Sequence, residues 1–284
     1  MRPILVFVLL IVVSSSVLAA PKASLWPRWQ AHDEQATTTI DHSVFDTFLG
    51  AYVETQDNAP NGVDYAGVTD TDRGRLDAYL DALQSIEIDH YNRDVQRAYW
   101  INLYNAATLA VVLDAWPVDS IRDIGGGLFS SGPWDKKVVT VEGSKLTLND
   151  IEHRILRPIW NDGMTHYGVN CASISCPSLR ATAYTGANVN DALRTNARDY
   201  VNSPQGVTIS DGRVTVSQIY DWYGQDFGSD VASVISHLRQ FARPGLSARL
   251  DELNRIDGYA YDWSLNSSDA VDAVVRRQAA KSAD

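Results

Sequence analysis

Four residues whose side chains can do chemistry lie in one short stretch of the sequence: Glu152, His153, His166 and Cys171. A cysteine nucleophile needs a base that generates the thiolate and a third group that orients the base. Cys171 would supply the thiol, and His153 or His166 would accept its proton. Glu152 or the more distant Asn105 would orient the base. These residue types are typical of a thiol-dependent hydrolase or transferase that acts on peptide, amide or acyl bonds.

The chain holds only one other cysteine, Cys176, and four residues separate it from Cys171. In an oxidising compartment two neighbouring thiols most often form a disulfide. A bridge over so short a loop would stabilise the fold by about 2 kcal/mol through its effect on the unfolded chain. We therefore expect a structural Cys171–Cys176 bridge in a binding or scaffold domain, and the thiol enzyme is the alternative hypothesis.

A zinc site is a second alternative, because His153, His166, Cys171 and Cys176 lie close together in the sequence. Zinc is commonly held by four such ligands in a tetrahedron. The spacing of the four residues matches no common zinc finger, however, and oxidation would compete for the thiols. We therefore expect no metal site and no other cofactor, and keep zinc binding as the second alternative.

Aromatic residues suggest what a binding domain would recognise. The chain has eight Trp and thirteen Tyr, and some of them cluster beside acids, as in Trp222–Tyr223 and Tyr261–Trp263. Aromatic rings next to acids suit stacking on sugars or peptides, although large residues also fill the core of a helical domain. The expected partner class is an envelope peptide, glycan or protein.

The elements that position these residues follow from the spacing of apolar side chains. Residues 94–116 are apolar on nearly every side, which is typical of a buried central helix, and Pro117 ends it. Asn105 lies inside this helix, where its amide needs hydrogen-bond partners. It is therefore also a candidate for tying a loop to the helix.

A second helix, capped by Asn149 or Asp150, would carry the Glu152–His153 pair. The segment from His166 to Cys171 is predicted as a strand that runs into the cysteine loop. Side chains five positions apart in a strand face opposite sides. The histidine on the helix is therefore the better predicted partner for the thiol.

The remaining pattern is that of a mainly helical α+β protein. Helical spacing recurs at 43–55, 71–86, 189–201, 218–227, 230–241 and 246–254. Alternating residues predict hairpins at 137–148 and 207–216, and an extended piece at 259–265. The fold class is α+β: a mainly helical single domain with a buried central helix and a small antiparallel sheet.

The N-terminus has the pattern of a secretory signal peptide. A basic residue, an apolar run of about ten residues and a small-residue cleavage site follow one another in residues 1–20. A membrane-spanning helix needs about twenty apolar residues, so we predict a periplasmic or secreted protein without stable membrane insertion. We expect a loose lead-in at 21–42, a single globular domain at 43–267 and a polar tail at 268–284.

The charge of the chain limits the classes of partner that it is expected to bind. The formal net charge is −11 at pH 7, and an acidic protein repels phosphate backbones and anionic lipid surfaces. Nucleic acid is therefore not an expected partner.

Several phrases of the sequence, in this order, resemble one protein family. They are Tyr99–Ala106, Leu146–His153, His166 with Asn170–Ala172 and Ser175–Pro177, Ile219–Tyr223 with Asp226–Phe227, and Tyr261–Asn266. Together they resemble the domain-of-unknown-function 547 family over residues 43–267. The resemblance implies a shared fold and a shared polar cluster, and it implies no substrate.

The order of a long helix followed by strands that bear polar residues also resembles the papain and transglutaminase arrangement. In that arrangement the thiol sits at a helix N-terminus, whereas here the buried helix offers Asn105. The likeness concerns the fold alone.

Overall fold

A computed structural model describes residues 20–57, 59–125 and 132–283. The predicted signal peptide, apart from Ala20, lies outside these residues. Within them, no helix combines the length and the apolar character that crossing a membrane requires.

The described residues form a mainly helical α+β fold, as predicted. The α-helices are α1 (Ser43–Tyr52), α2 (Asp70–Gln84), α3 (Arg93–Ala115), α4 (Arg157–Trp160), α5 (Val189–Val201), α6 (Ile219–Trp222), α7 (Val231–Phe241), α8 (Pro244–Leu253) and α9 (Ser268–Ala283). A π-helix, Asp150–Leu156, leads directly into α4. The strands are β1 (Val53–Glu54), β2 (Gly62–Val63), β3 (Lys137–Val141), β4 (Ser144–Thr147), β5 (Val207–Ser210), β6 (Arg213–Ser217) and β7 (Gly258–Ala260).

Helix α3 is the buried central helix that its composition predicts. Every residue from 95 to 112 is buried. The Asn92 side chain caps the helix by accepting a hydrogen bond from the Val95 amide at 3.0 Å. The helix stops one residue before the Trp116–Pro117 bond, as a proline demands. Helices α2 and α5 and the π-helix pack against it.

The strands form three small sheets, and one of them corrects the sequence prediction. The two predicted hairpins are present, β3 with β4 and β5 with β6. The turn of the second hairpin places Asp211 and Gly212 at φ values of 51° and 71°, which suits a two-residue hairpin loop. Strand β7, however, pairs with β6 in parallel, so the expected antiparallel sheet is mixed.

The segment from His166 to Cys171 is not the predicted strand. A 3₁₀ helix spans Met164–Tyr167, and an irregular loop follows it. The Asp162 carboxylate accepts a hydrogen bond from the Met164 amide at 3.0 Å and starts the turn. Further along, the Asn170 side chain binds the backbone amide of Ala172 at 2.9 Å. These local bonds replace a strand ladder.

Both ends of the predicted domain carry structure. In the lead-in, Trp29 is buried, and the Ser24 amide donates to the carbonyl of His153 at 2.9 Å. At the other end, the segment predicted as a polar tail contains α9. Its Val271 and Val274 pack on Ile174, because the helix places these two valines on one face.

Candidate functional site

The π-helix presents the first two predicted site residues, Glu152 and His153. It begins with a reciprocal pair of bonds: the Asp150 amide donates to the Thr147 hydroxyl at 2.9 Å, and the Thr147 amide donates to the Asp150 carboxylate at 3.0 Å. Asp150 therefore makes the predicted start of the helix, while the Asn149 side chain makes no cap bond. A π-helix inside a helical segment is often found at a functional site.

Glu152 lies between the two predicted histidines. Its Oε1 atom is 3.7 Å from Nδ1 of His153 and 3.7 Å from Nδ1 of His166. All three residues are buried. Three of the predicted site residues therefore meet at one polar spot, with the carboxylate equally close to both imidazoles.

Each imidazole is held by a further charged residue that the sequence analysis did not name as a site residue. His166 donates through Nε2 to the Asp226 carboxylate at 2.7 Å. Arg157 donates through Nε to the same carboxylate oxygen at 2.6 Å. It also donates to Nδ1 of His153 at 3.0 Å, so that nitrogen is an acceptor.

This network sets the charge of its members. Burial acts to raise the pKa of Asp226, but the hydrogen bonds from His166 and Arg157 outweigh it and lower that pKa to about 2. Burial lowers the pKa of His153 to about 4. Asp226 is therefore an anion at neutral pH, and His153 is a neutral imidazole.

Tyr223 packs against both the histidine and the arginine of this network. Its ring stacks on that of His166 with the centroids 4.4 Å apart, and the guanidinium of Arg157 lies 4.6 Å from its centroid. Burial raises the pKa of the Tyr223 hydroxyl well above its usual value. The tyrosine thus remains neutral and stabilises the cation through its ring.

Cys171 is near enough to this network for the charge of Glu152 to act on its thiol, but its hydrogen-bond partners are of another kind. Its Sγ atom is 2.7 Å from Sγ of Cys176 and 3.3 Å from the hydroxyl groups of Ser173 and Tyr261. Among the described residues, no imidazole is a hydrogen-bond partner of this thiol. Both cysteines are thiols in the structure, so the predicted bridge stays a prediction.

The two thiols differ in acidity. The hydrogen bond with Cys176 lowers the pKa of Cys171, burial opposes this effect, and the hydroxyl groups of Ser173 and Tyr261 lower the pKa further. The charge of Glu152 acts on the same thiol in the opposite direction. Burial raises the pKa of Cys176 well above its usual value. Cys171 is therefore the more readily ionised sulfur of the pair.

Asn105 serves the loop rather than a histidine. Its amide donates to the Gly168 carbonyl at 2.9 Å and accepts from the Asn170 amide at 2.8 Å. The buried amide therefore ties the segment before Cys171 to the central helix. This matches the loop-tying role proposed for it and does not supply the predicted orientation of a base.

An aromatic group adjoins the cysteines, and we define it as Trp222, Tyr261 and Trp263. Ring centroids within it are 4.6–5.5 Å apart, and all three residues are half-buried. The hydroxyl of Tyr261 connects this aromatic group to the Cys171 thiol and to Ser173. The sequence clusters that suggested a stacking surface therefore come together in space.

The four residues of the zinc hypothesis have other partners in this arrangement. In the parts of the chain that the structure describes, no three His, Cys, Asp or Glu side chains are grouped so that they could hold a metal ion. The histidines are instead engaged with Asp226 and Arg157.

Asp226 and Arg157 were the residues that sequence reasoning missed. Asp226 stands in one of the phrases that resemble the family, and Arg157 follows His153 by one helical turn. That spacing puts both side chains on one helix face. It was the signal in the sequence that could have identified Arg157 as a neighbour of His153. Nothing in the sequence shows that an aspartate sixty residues beyond His166 would reach it.

Comparison with known proteins gives one result. No curated protein and no solved structure matches the chain, so the papain-like arrangement stays a hypothesis. Residues 88–201 match the family described as "Protein of unknown function, DUF547". This range holds all the predicted site residues, whereas Asp226 and the aromatic group lie beyond it. The match confirms the predicted resemblance to the DUF547 family over residues 88–201 of this chain.

Proposed function

We propose that the protein is an exported binding domain in which a Cys171–Cys176 bridge fixes a loop beside the aromatic group. One observation carries this proposal: the two Sγ atoms are 2.7 Å apart, and the other partners of Cys171 are hydroxyl groups. A thiol with a sulfur beside it and no imidazole bonded to it is suited to a bridge. Export would supply the oxidising compartment in which such bridges persist.

The aromatic group is the proposed binding surface. Its rings are half-buried, so part of each remains exposed for contact with a sugar ring or a peptide side chain. The exposed Asp221 neighbours Trp222 and adds an acceptor for ligand hydroxyl or ammonium groups. The net charge of −11 disfavours strongly anionic ligands.

A fluorescence titration tests the binding role. We expect a neutral N-acetylglucosamine oligosaccharide or a short cationic peptide to change the tryptophan emission of the full chain in a saturable manner. Trp222→Ala should weaken this binding at least about tenfold, because one stacking ring is lost. Trp160→Ala is the matched control, since Trp160 is half-buried and packs on Arg93 and Arg97. Equal binding by both variants, or no saturable change with either probe, would refute this role.

The thiol enzyme is the second candidate, and the lowered pKa of Cys171 favours it. The Nδ1 atom of His153 is occupied by Arg157. His166 donates through Nε2 to Asp226. Its Nδ1 atom, which faces Glu152, is therefore the nitrogen that can accept a proton. His166 would therefore be the base in this candidate, with Asp226 as its orienting group. Cys171 would attack a carbonyl carbon while its proton passes to His166 and the carbonyl π electrons move to the oxygen. Collapse of this adduct would break the bond to the amine or alcohol, which leaves with the proton from His166.

The rate of Cys171 alkylation in reduced protein separates the two candidates. A thiol that depends on the imidazole should react roughly tenfold more slowly with iodoacetamide in His166→Gln. In the binding domain this substitution leaves the rate within a factor of about two, because the hydroxyl groups of Ser173 and Tyr261 remain. His237→Gln is the control, since this histidine is half-buried and hydrogen-bonds to Tyr167 instead.

A further inference from the structure

A polar cavity reaches the cysteine pair from the side of Cys176. Its volume is about 230 Å³, and its lining includes Cys176, Ser178, Asp199, Tyr200 and Ser203. Since one water takes up about 30 Å³ of liquid, the cavity has room for a small organic molecule. Cys171 is not among its lining residues, so the two sulfurs have different surroundings.

We propose that this cavity admits a small organic thiol to Cys176, where exchange with the Cys171–Cys176 bridge forms a mixed disulfide. The proposal rests on the bridge of the proposed function. It assigns the cavity a ligand class, a low-molecular-weight thiol, and it assigns Cys176 as the modified residue.

The geometry suits the direction of this exchange. An attacking thiolate approaches a disulfide sulfur on the side away from the leaving sulfur, through a mixed-disulfide intermediate. Attack on Cys176 from the cavity therefore has Cys171 as the leaving group. Cys171 lies instead against Ser173 and Tyr261, whose hydroxyl groups are 3.3 Å from its sulfur.

The exchange balances without an added oxidant or reductant. The thiolate of the small molecule forms a bond to Sγ of Cys176, and the bond between Cys176 and Cys171 breaks. The electron pair leaves with Cys171 as a thiolate, which the two hydroxyl groups can stabilise by donating hydrogen bonds. One disulfide is lost and one is formed, and the reverse attack by Cys171 restores the bridge.

The acidity of the two sulfurs supports the same direction. In the reduced pair, the hydrogen bond with Cys176 and those with the two hydroxyl groups hold the pKa of Cys171 below its usual value, although burial opposes them. Burial raises the pKa of Cys176. A thiol of lower pKa leaves faster in disulfide exchange, which makes Cys171 the better leaving group.

The test uses the full chain in its bridged form. Intact mass first establishes that the bridge is present. The protein is then incubated with 2-mercaptoethanol and quenched with iodoacetamide, and fragmentation of the peptide locates each group. We expect the mercaptoethanol adduct on Cys176 and the alkyl group on Cys171. Protein modified in this way should be about tenfold or more abundant than protein with the adduct on Cys171 and the alkyl group on Cys176.

A variant at the mouth of the cavity tests the route. Asp199 is exposed on α5 and lines the cavity, so Asp199→Trp narrows the entrance without entering the core. We expect adduct formation to slow roughly tenfold in this variant, because a small thiol must pass the indole to reach the bridge. Arg194→Trp is the matched control, since Arg194 is exposed on the same helix and does not line the cavity.

The outcomes separate this inference from the proposed function. A wild-type protein without a bridge contradicts the proposed function itself. A bridged protein that carries the adduct on Cys171, or equally on both cysteines, overturns the inference and leaves the bridge intact. An unchanged rate in Asp199→Trp overturns the cavity as the route.

Discussion

At the scale of single residues, Asp226 is the side chain on which the polar site depends most. It accepts hydrogen bonds from His166 and from Arg157, and both partners are buried. Removing one partner of a buried ion pair leaves the other charge without compensation. The carboxylate therefore fixes one imidazole and neutralises one guanidinium at the same time.

Asp226→Asn should destabilise the protein by about 3–5 kcal/mol, because the buried cation of Arg157 loses its anion. Urea unfolding at pH 7, followed by circular dichroism, measures this loss. Asp221→Asn is the control, since Asp221 is exposed and accepts a hydrogen bond from Gln218. A difference of less than about 1 kcal/mol between the two variants would show that the network contributes little.

His153 gives the site a defined pH dependence. Its folded-state pKa of about 4 lies below the usual histidine pKa of 6.5, so the unfolded chain binds the proton more readily. The stabilisation from the neutral imidazole is complete above pH 6.5 and is lost as the pH falls through about 4. One pKa unit corresponds to about 1.4 kcal/mol, so the loss is about 3 kcal/mol.

His153→Gln should therefore flatten the fall in unfolding free energy between pH 7 and pH 4. The slope should not vanish, because burial also lowers the pKa of His42 and His237 to about 4. Urea unfolding at a series of pH values measures the change. His90→Gln, at a side chain that is 75% exposed, is the control. Parallel profiles for wild type and His153→Gln would show that His153 is not held neutral by the fold.

At the scale of elements, helix α3 acts on the cysteine loop through Asn105. The amide binds Gly168 and the Asn170 backbone amide, while the nearby Asn102 binds the backbone of Tyr184. Both asparagines are buried in the same helix and make the same number of backbone contacts. They therefore form a matched pair that differs only in which segment is held.

Asn105→Ala and Asn102→Ala should each cost about 3 kcal/mol of stability, because buried backbone groups lose their partners. Only Asn105→Ala should increase the alkylation rate of Cys171 in reduced protein, since it releases the segment before the thiol. Urea unfolding and timed iodoacetamide labelling measure the two effects. Equal labelling rates in both variants would argue against this coupling.

The helices and strands also show which features of the fold could be predicted from the sequence. The long helix, the two hairpins and α5 could be predicted, because apolar periodicity reports which face is buried. The strand predicted at 166–171 was wrong, because the side chains of Asp162 and Asn170 bind the backbone locally. Those bonds depend on the three-dimensional positions of single side chains and leave no periodic signal.

The same distinction explains which site residues could be predicted and which could not. Glu152, His153 and His166 could be chosen by residue type, and they do meet. The preference for His153 as the base depended on the strand, and it lost its support when the strand proved to be a 3₁₀ helix. Asp226 comes from a distant segment, and a single sequence does not report such contacts.

At the scale of the whole molecule, the end of the chain supports the cysteine loop. Ile174 lies between the two cysteines and packs on Val271 and Val274 of α9. The helix also contacts β2. A chain that ends at Ser267 would therefore lose the apolar contacts under this loop.

Ending the chain at Ser267 should cost about 3 kcal/mol, because burial of two valines contributes roughly 1.5 kcal/mol each or more. Val271→Ala should reproduce part of this loss, and Asp272→Ala, at a side chain that is 49% exposed, should have little effect. Thermal unfolding of the shortened chain and of the two variants, each compared with the full chain, measures the change in stability. A shortened chain as stable as the full one would show that α9 does not support the fold.

The site as a whole joins separate parts of the chain. The region that matches the DUF547 family contributes Glu152, the two histidines of the site and both cysteines. Residues beyond it contribute Asp226, Tyr223 and Tyr261, which contact those side chains. The thiol pair and the aromatic group therefore lie side by side because segments from both regions pack together.

The state of the two thiols tests the central claim most directly. The full chain, exported by a bacterial host and purified without reductant, is treated with iodoacetamide in denaturant and weighed intact. The bridge predicts no added alkyl group, and two added groups after prior reduction. Two alkyl groups on protein that was never reduced would contradict the bridge and leave the thiol enzyme as the better account.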